Sequence, residues 1–208
     1  MNYKKWIESA VPKARVSHLV EMYLTWSGVG FAGAMIASAL DHYSAVPYAA
    51  YFTGAVNDAV GYRFWVLLAD IGLLFFCFSL PFLFMTRYFG SVEKVAGPLQ
   101  RLTYTFFVVA FDEGALMIGI LFANLLHASD KTALLASKSF LFSDVGLFTI
   151  LVLIVLNSAL WMLGESIFNR DDKSFSGVVQ MLMTAPVKYT APGYCCFTGI
   201  AVYLIVSQ

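Results

Sequence analysis

Charged side chains are scarce in this chain. They make up 12% of its 208 residues, and thirteen Lys and Arg balance thirteen Asp and Glu to a formal net charge of zero, where soluble domains carry about 25% charged residues. No global basic field exists to hold a nucleic acid, and no acidic block marks a disordered tail. Cysteine is rare as well: Cys77, Cys195 and Cys196 are an odd number without metal-type spacing, and the two that are adjacent are poorly placed to bond to each other. No disulfide framework follows. Histidine is limited to three residues, none of them in the middle of a long apolar run, which removes ordinary bis-histidine haem ligation. The apolar runs also lack a lysine for a Schiff base, a serine or cysteine beside a histidine, and a Gly-x-Gly-Asp protease motif. The expectation is a protein that is not an enzyme and has no cofactor and no metal.

What is abundant is apolar surface. Hydrophobic residues account for 60% of the chain and the mean hydropathy is +0.75, more than a soluble fold of this size could bury. Four apolar stretches, near 22–40, 64–86, 102–126 and 145–164, reach the ~20 residues that a helix needs to cross a hydrocarbon core about 30 Å thick. They show no alternation, and inside lipid only helices or closed barrels satisfy their own backbone. The expected fold is therefore all-α: a polytopic integral membrane helix bundle of four transmembrane helices forming one membrane domain over 1–208. A fifth apolar stretch, 194–206, spans only 13 residues; extended back through Pro192 and Lys188 it covers 188–206. It is a short crossing, a re-entrant segment, or a helix packed on the bundle.

Basic residues precede the first apolar stretch, which ends in Ala37-Ser38-Ala39, a pattern similar to a signal-peptide cleavage site. The lead before it is long and Glu21 interrupts its start. An uncleaved first transmembrane helix is the expectation. Lys4, Lys5, Lys13, Arg15, Arg87, Lys94, Arg101, Arg170, Lys173 and Lys188 fall on one side of the four-helix topology, and Arg63, Lys131 and Lys138 on the other. Ten against three places the N-terminus and the segments 1–21, 87–101 and 165–193 in the cytoplasm. Trp26, Tyr88, Tyr104 and Trp161 are then expected in the inner aromatic belt, and Tyr43, Tyr48, Tyr62 and Trp65 in the outer one. The outer segment 41–63 contains Pro47 and a tyrosine-rich run able to lie on the membrane. The inner segment 166–193 places Phe175, Val178, Val179 and Leu182 on one helical face, as an interfacial helix or a docking surface.

The most suggestive residues are intramembrane acids: Asp70 in the second stretch and Asp112-Glu113 near the middle of the third. A charge at such depth costs at least about 2.5–3.5 kcal/mol on insertion scales, so these groups are expected to face protein, water or a partner. Asp112 shares a helical face with Ala115, Gly119 and Ala123, a row of small side chains that admits a close neighbour; Glu113 shares the next face with Met117, Ile120 and Asn124. With Asn157 of the fourth stretch they form a candidate polar seam, while Ile120 and Leu121 are expected to face lipid. Asp70 lines up with Cys77 and Pro81, where the proline leaves the Cys77 carbonyl without its helical donor. Gly28-x-Gly30-x-x-Gly33 matches the dinucleotide fingerprint only in letters, because that motif works between a strand and a helix. Inside a membrane helix, Gly30, Ala34 and Ser38 read instead as a small-xxx-small packing row. His42 and His127, beside Asp41 and Asp130, are an unspecific metal or pH-latch pattern. Cys195-Cys196 is a candidate for acylation or simple packing.

Size and helix count resemble those of small bacterial membrane subunits, including subunits of secretion, immunity and phage-defence systems, though no motif carries that resemblance. The expected function is that of a non-enzymatic inner-membrane scaffold or sensor. It would self-associate through its small-residue faces and recruit a protein partner at its cytoplasmic loops, with membrane lipid around it and no nucleic acid. The competing class is an ion or proton channel or ion-coupled subunit using Asp70, Asp112 and Glu113.

Overall fold

The computed structural model describes residues 13–50, 62–127, 144–168 and 185–207. Among them, regular structure is helical and no strand occurs. α1 runs Lys13–Asp41, α2 Tyr62–Met85, α3 Glu93–His127, α4 Asp144–Phe168 and α5 Val187–Val206, with one 3-10 turn, Gly90–Val92, leading into α3. Four of these helices are long and apolar enough to cross a membrane: Val16–Asp41, Phe64–Met85, Gly90–Asn124 and Ile150–Phe168. The all-helical architecture expected from hydropathy is found among the described residues, with four helices of the length and composition a membrane crossing needs.

The boundaries differ from expectation where charge misleads. α1 starts at Lys13 rather than near 22, and α3 at Glu93 rather than near 102. Hydropathy finds the stretch that lipid can hold, whereas a helix continues past it wherever its backbone bonds do. Most of the connection expected at 87–101 is therefore helix, with Pro98 tolerated in the second turn of α3. α5 extends back through Pro192 to Val187, giving 20 residues and a length of about 30 Å. Of the 41–63 and 166–193 segments, residues 51–61 and 169–184, the latter with Phe175, Val178, Val179 and Leu182, lie outside the described residues.

Contacts divide the chain into two compact units. Unit 1 comprises 1–17, 67–109 and 160–208; unit 2 comprises 18–66 and 110–159. In unit 1 the buried cluster is Phe76, Leu80, Leu83, Phe107 and Ile167. Gly72 and Gly164 both lie against the Phe107 side chain, and a Cβ at Gly72 would sit 2.7 Å from its ring, so these glycines make room for a ring that is wholly buried. α5 joins this unit by the edge of Phe197 against Phe76, centroids 5.4 Å apart. Trp161, expected in the inner aromatic belt, is only 2% exposed. It fills the core instead, because a large ring at that position packs against helices rather than headgroups.

Unit 2 is built around close approach of α1 and α3. Ala34, Ile120 and Ala123 form its buried cluster, with Phe31, Met35, Leu116 and Met117 against it. The small-residue rows expected to mediate self-association meet each other within one chain: a Cβ at Gly30 would fall on the Leu116 carbonyl, and one at Gly119 on the Ser27 carbonyl. The row on α1 is Gly30, Ala34 and Ala37, with Ser38 half-buried at its margin. Ile120, expected to face lipid, is buried; Phe122 and Leu126 carry the outward face of that segment. Ser27 Oγ donates to the Ala115 carbonyl at 3.0 Å, an interhelical bond of the kind that small-residue interfaces allow. Other hydroxyls turn back on their own helix, as Ser79 to Phe76 O at 2.8 Å, Thr103 to Leu99 O at 2.9 Å and Ser166 to Met162 O at 2.6 Å. This leaves few polar groups for lipid to meet.

Candidate functional site

The polar groups of unit 2 converge where the first turn of α2 meets the middles of α3 and α4. Asn157 is the centre. Its Oδ1 accepts the indole N–H of Trp65 at 3.0 Å, and its Nδ2 donates to the Phe111 carbonyl at 3.1 Å. An indole can only donate and a carbonyl only accept, so the two bonds fix the orientation of the amide. Asn157 is buried to within 3%, and Gly114 is what lets it in: a Cβ there would lie 2.6 Å from Nδ2. Trp65 was expected in the outer aromatic belt. It is half-buried and bonded inward instead, since a buried asparagine needs a donor more than the interface needs a ring.

Glu113 stands one residue before Gly114. It is 5% exposed, and the backbone N–H of Trp65 is directed at its carboxyl without closing a hydrogen bond of good geometry to either oxygen. Asp112, on the adjoining face, is half-buried, and its Oδ1 is enclosed without a hydrogen-bond partner. Tyr23 of α1 closes this region, its ring edge-on to Phe111 with centroids 5.5 Å apart.

The candidate seam thus comes together in part. Glu113, Asp112 and Asn157 belong to unit 2, where Asn124 is half-buried further along α3 without a hydrogen bond among those found. Asp70 belongs to unit 1 and is half-buried there. Cys77, on the same face of α2, is buried, whereas Cys195 and Cys196 are exposed on α5. The helix of α2 passes through Pro81 unbroken. Of the suggested His42–His127 latch, Asp41 is engaged otherwise, its Oδ1 accepting the Ala49 N–H at 2.9 Å; the His127 side chain and Asp130 lie outside the described residues. Among the described residues, no group of three or more His, Cys, Asp and Glu could hold a metal ion.

Sequence reasoning picked out Asn157 by its polarity in an apolar run, but not its partners. Tyr23 and Trp65 look like ordinary membrane aromatics until the fold brings them to it. Gln100 and Glu165 of unit 1, both buried, were also passed over, because each sits close to a helix end where a polar residue is unremarkable. Comparison of the chain with known protein families, with curated proteins and with solved structures gives no match.

Proposed function

We propose that the chain is a multi-pass subunit of a bacterial inner membrane that works by assembling with another protein, as a scaffold or sensor, rather than by catalysing a reaction. One observation carries the proposal. Asp70 and Asp112 lie within helices of membrane-spanning length and are only half-buried by their own chain. An acid left partly open to hydrocarbon costs at least about 2.5–3.5 kcal/mol, and such groups are nearly always covered by protein or water. A second chain, either another copy or a partner helix offering a hydrogen-bond donor, would cover them. The small-residue rows do not supply that surface, since each is occupied by the other. The ten-to-three distribution of Lys and Arg favours a cytoplasmic N-terminus; α5 has the length for a fifth crossing but is not among the four helices apolar enough to cross a membrane. Purification in mild detergent with crosslinking tests the reading: an assembly larger than the monomer is expected, and Asp112→Leu should weaken it. A wild type that is monomeric under all mild conditions and carries no partner removes the proposal.

A second reading, an ion- or proton-coupled subunit, is favoured by Glu113. Its carboxyl is buried beside an ordered amide network without a hydrogen bond of good geometry, as an exchangeable proton or cation site requires. Flux in proteoliposomes decides between the two. Loss of flux in Glu113→Gln with assembly intact would replace the scaffold as first choice, and no flux from assembled wild type under any gradient would remove the second reading.

A further inference from the structure

We propose that unit 2 contains a binding site for a small, ring-sized hydrophobic molecule bearing one hydroxyl, which enters it from the bilayer. Unit 2 holds a cavity of about 150 Å³ lined by residues of α1, α2, α3 and α4, comparable to a cavity of about 150 Å³ known to admit benzene. Its walls are apolar: Ile118 of α3, Leu153 and Ile154 of α4, and the Trp65 ring. Leu153 is 37% exposed, so the cavity has a rim on the helix face that a membrane-spanning chain turns toward lipid. Tyr23 and Asn157 are also among the lining residues.

Asn157 is what makes this more than a crevice for an acyl chain. Its amide can make four hydrogen bonds, and two are in use, one accepted from Trp65 and one donated to Phe111. One N–H and one lone pair remain on a group held in a fixed orientation. Tyr23 adds a hydroxyl that none of the hydrogen bonds among the described residues engages. A ligand hydroxyl both donates and accepts, so it can satisfy the remaining capacity of the amide while its ring fills the apolar walls. A saturated acyl chain would leave that capacity unmet, and buried polar groups left unpaired disfavour such an occupant. The preorganised amide also lowers the ordering cost that usually weakens binding of small ligands.

The test uses the full chain in phosphatidylcholine nanodiscs, with fluorine NMR of para-fluorophenol and fluorobenzene as the two probes. Wild type should show saturable binding of para-fluorophenol, with fluorobenzene about tenfold weaker, the equivalent of one ordinary hydrogen bond. Ile118→Trp, which fills the cavity, should abolish saturable binding. Should that variant fail to fold, Leu153→Phe at the rim gives the same readout with less internal disturbance. Partition that does not saturate and is equal for wild type and variants would overturn the site. Saturable binding unchanged in both variants would place the probe elsewhere and overturn it too, and equal affinity for the two probes would overturn the role of Asn157. Because the probe reports on a single chain in lipid, the outcome is independent of whether the protein assembles or conducts.

Discussion

Gly119 and Gly28 offer a matched pair of substitutions whose effects should have opposite signs. Both are helical glycines in unit 2, but a Cβ at Gly119 would meet the carbonyl of Ser27 and lie 2.8 Å from the amide nitrogen of Phe31, whereas one at Gly28 meets nothing within 4 Å. In Gly119→Ala the obstructing atoms are backbone, which cannot rotate aside, so α1 and α3 must separate locally. Overpacking of this kind costs about 1–3 kcal/mol. Separation also stretches the Ser27 to Ala115 bond, adding about 0.5–1.5 kcal/mol, while the better helix propensity of alanine returns up to ~1 kcal/mol. The net loss should be about 0.5–4.5 kcal/mol. Gly28→Ala keeps only the propensity gain and should be neutral or stabilising by up to ~1 kcal/mol. Equilibrium unfolding in mixed micelles, followed by tryptophan fluorescence, measures both, and the mass of the folded protein in mild detergent is recorded alongside. The contact lies within one chain, so Gly119→Ala should lower stability without changing the number of chains in the folded particle. A Gly119→Ala protein as stable as wild type would refute the packing of α1 on α3. An assembly that dissociates with unchanged monomer stability would return the small-residue rows to an intermolecular role.

Other outcomes follow from the same geometry. Trp65→Phe keeps the ring and removes the indole N–H that Asn157 accepts, so unfolding should be easier by about 1–3 kcal/mol, the cost of a buried acceptor left unsatisfied; an unchanged transition would show that bond to be absent. Gly114→Ala places a methyl 2.6 Å from Nδ2 of Asn157 and should destabilise by a similar amount, whereas the double variant Gly114→Ala with Asn157→Ala should lose less than the sum of the two single changes. Asp112→Asn keeps hydrogen-bonding capacity and should preserve the folded assembly, while Asp112→Leu should weaken it by about 1–3 kcal/mol, read as dissociation at lower detergent. Reporter fusions after Lys94 and Lys138 should read cytoplasmic and external respectively, with one after Gln208 external if α5 crosses; reversal of the first two would overturn the orientation.

How legible each part was in the sequence depends on the range of the physics. Hydropathy over ~20 residues is local and marked four helices, yet the start of α3 at Glu93 was hidden because Lys94, Pro98 and Arg101 look like a connection. Small-residue spacing is also local, so the rows Gly30–Ala34 and Ala115–Gly119–Ala123 are legible; what each faces is a tertiary fact, and spacing alone does not distinguish a pairing within one chain from a contact between chains. Trp65 and Trp161 show the limit most plainly. Tryptophan near a helix end is common at membrane interfaces, and only the fold reveals that one ring is bonded to Asn157 and the other buried in unit 1. Among the acids, depth in the apolar run marks Glu113 as unusual, but not that its buried carboxyl lacks a hydrogen bond of good geometry.

The amide of Asn157 has a mechanical consequence. It holds α2 through an indole and α3 through a backbone carbonyl while being part of α4, so three helices share one small, rigid joint. Rolling α2 about its axis would carry Trp65 away and force the amide either to turn, breaking its grip on Phe111, or to stay and lose the indole. The joint therefore has few ways to yield gradually. A rotation at the start of α2 would be transmitted to the middle of α3, where Asp112 and Glu113 directly follow Phe111 in the chain, as a release rather than as a strain.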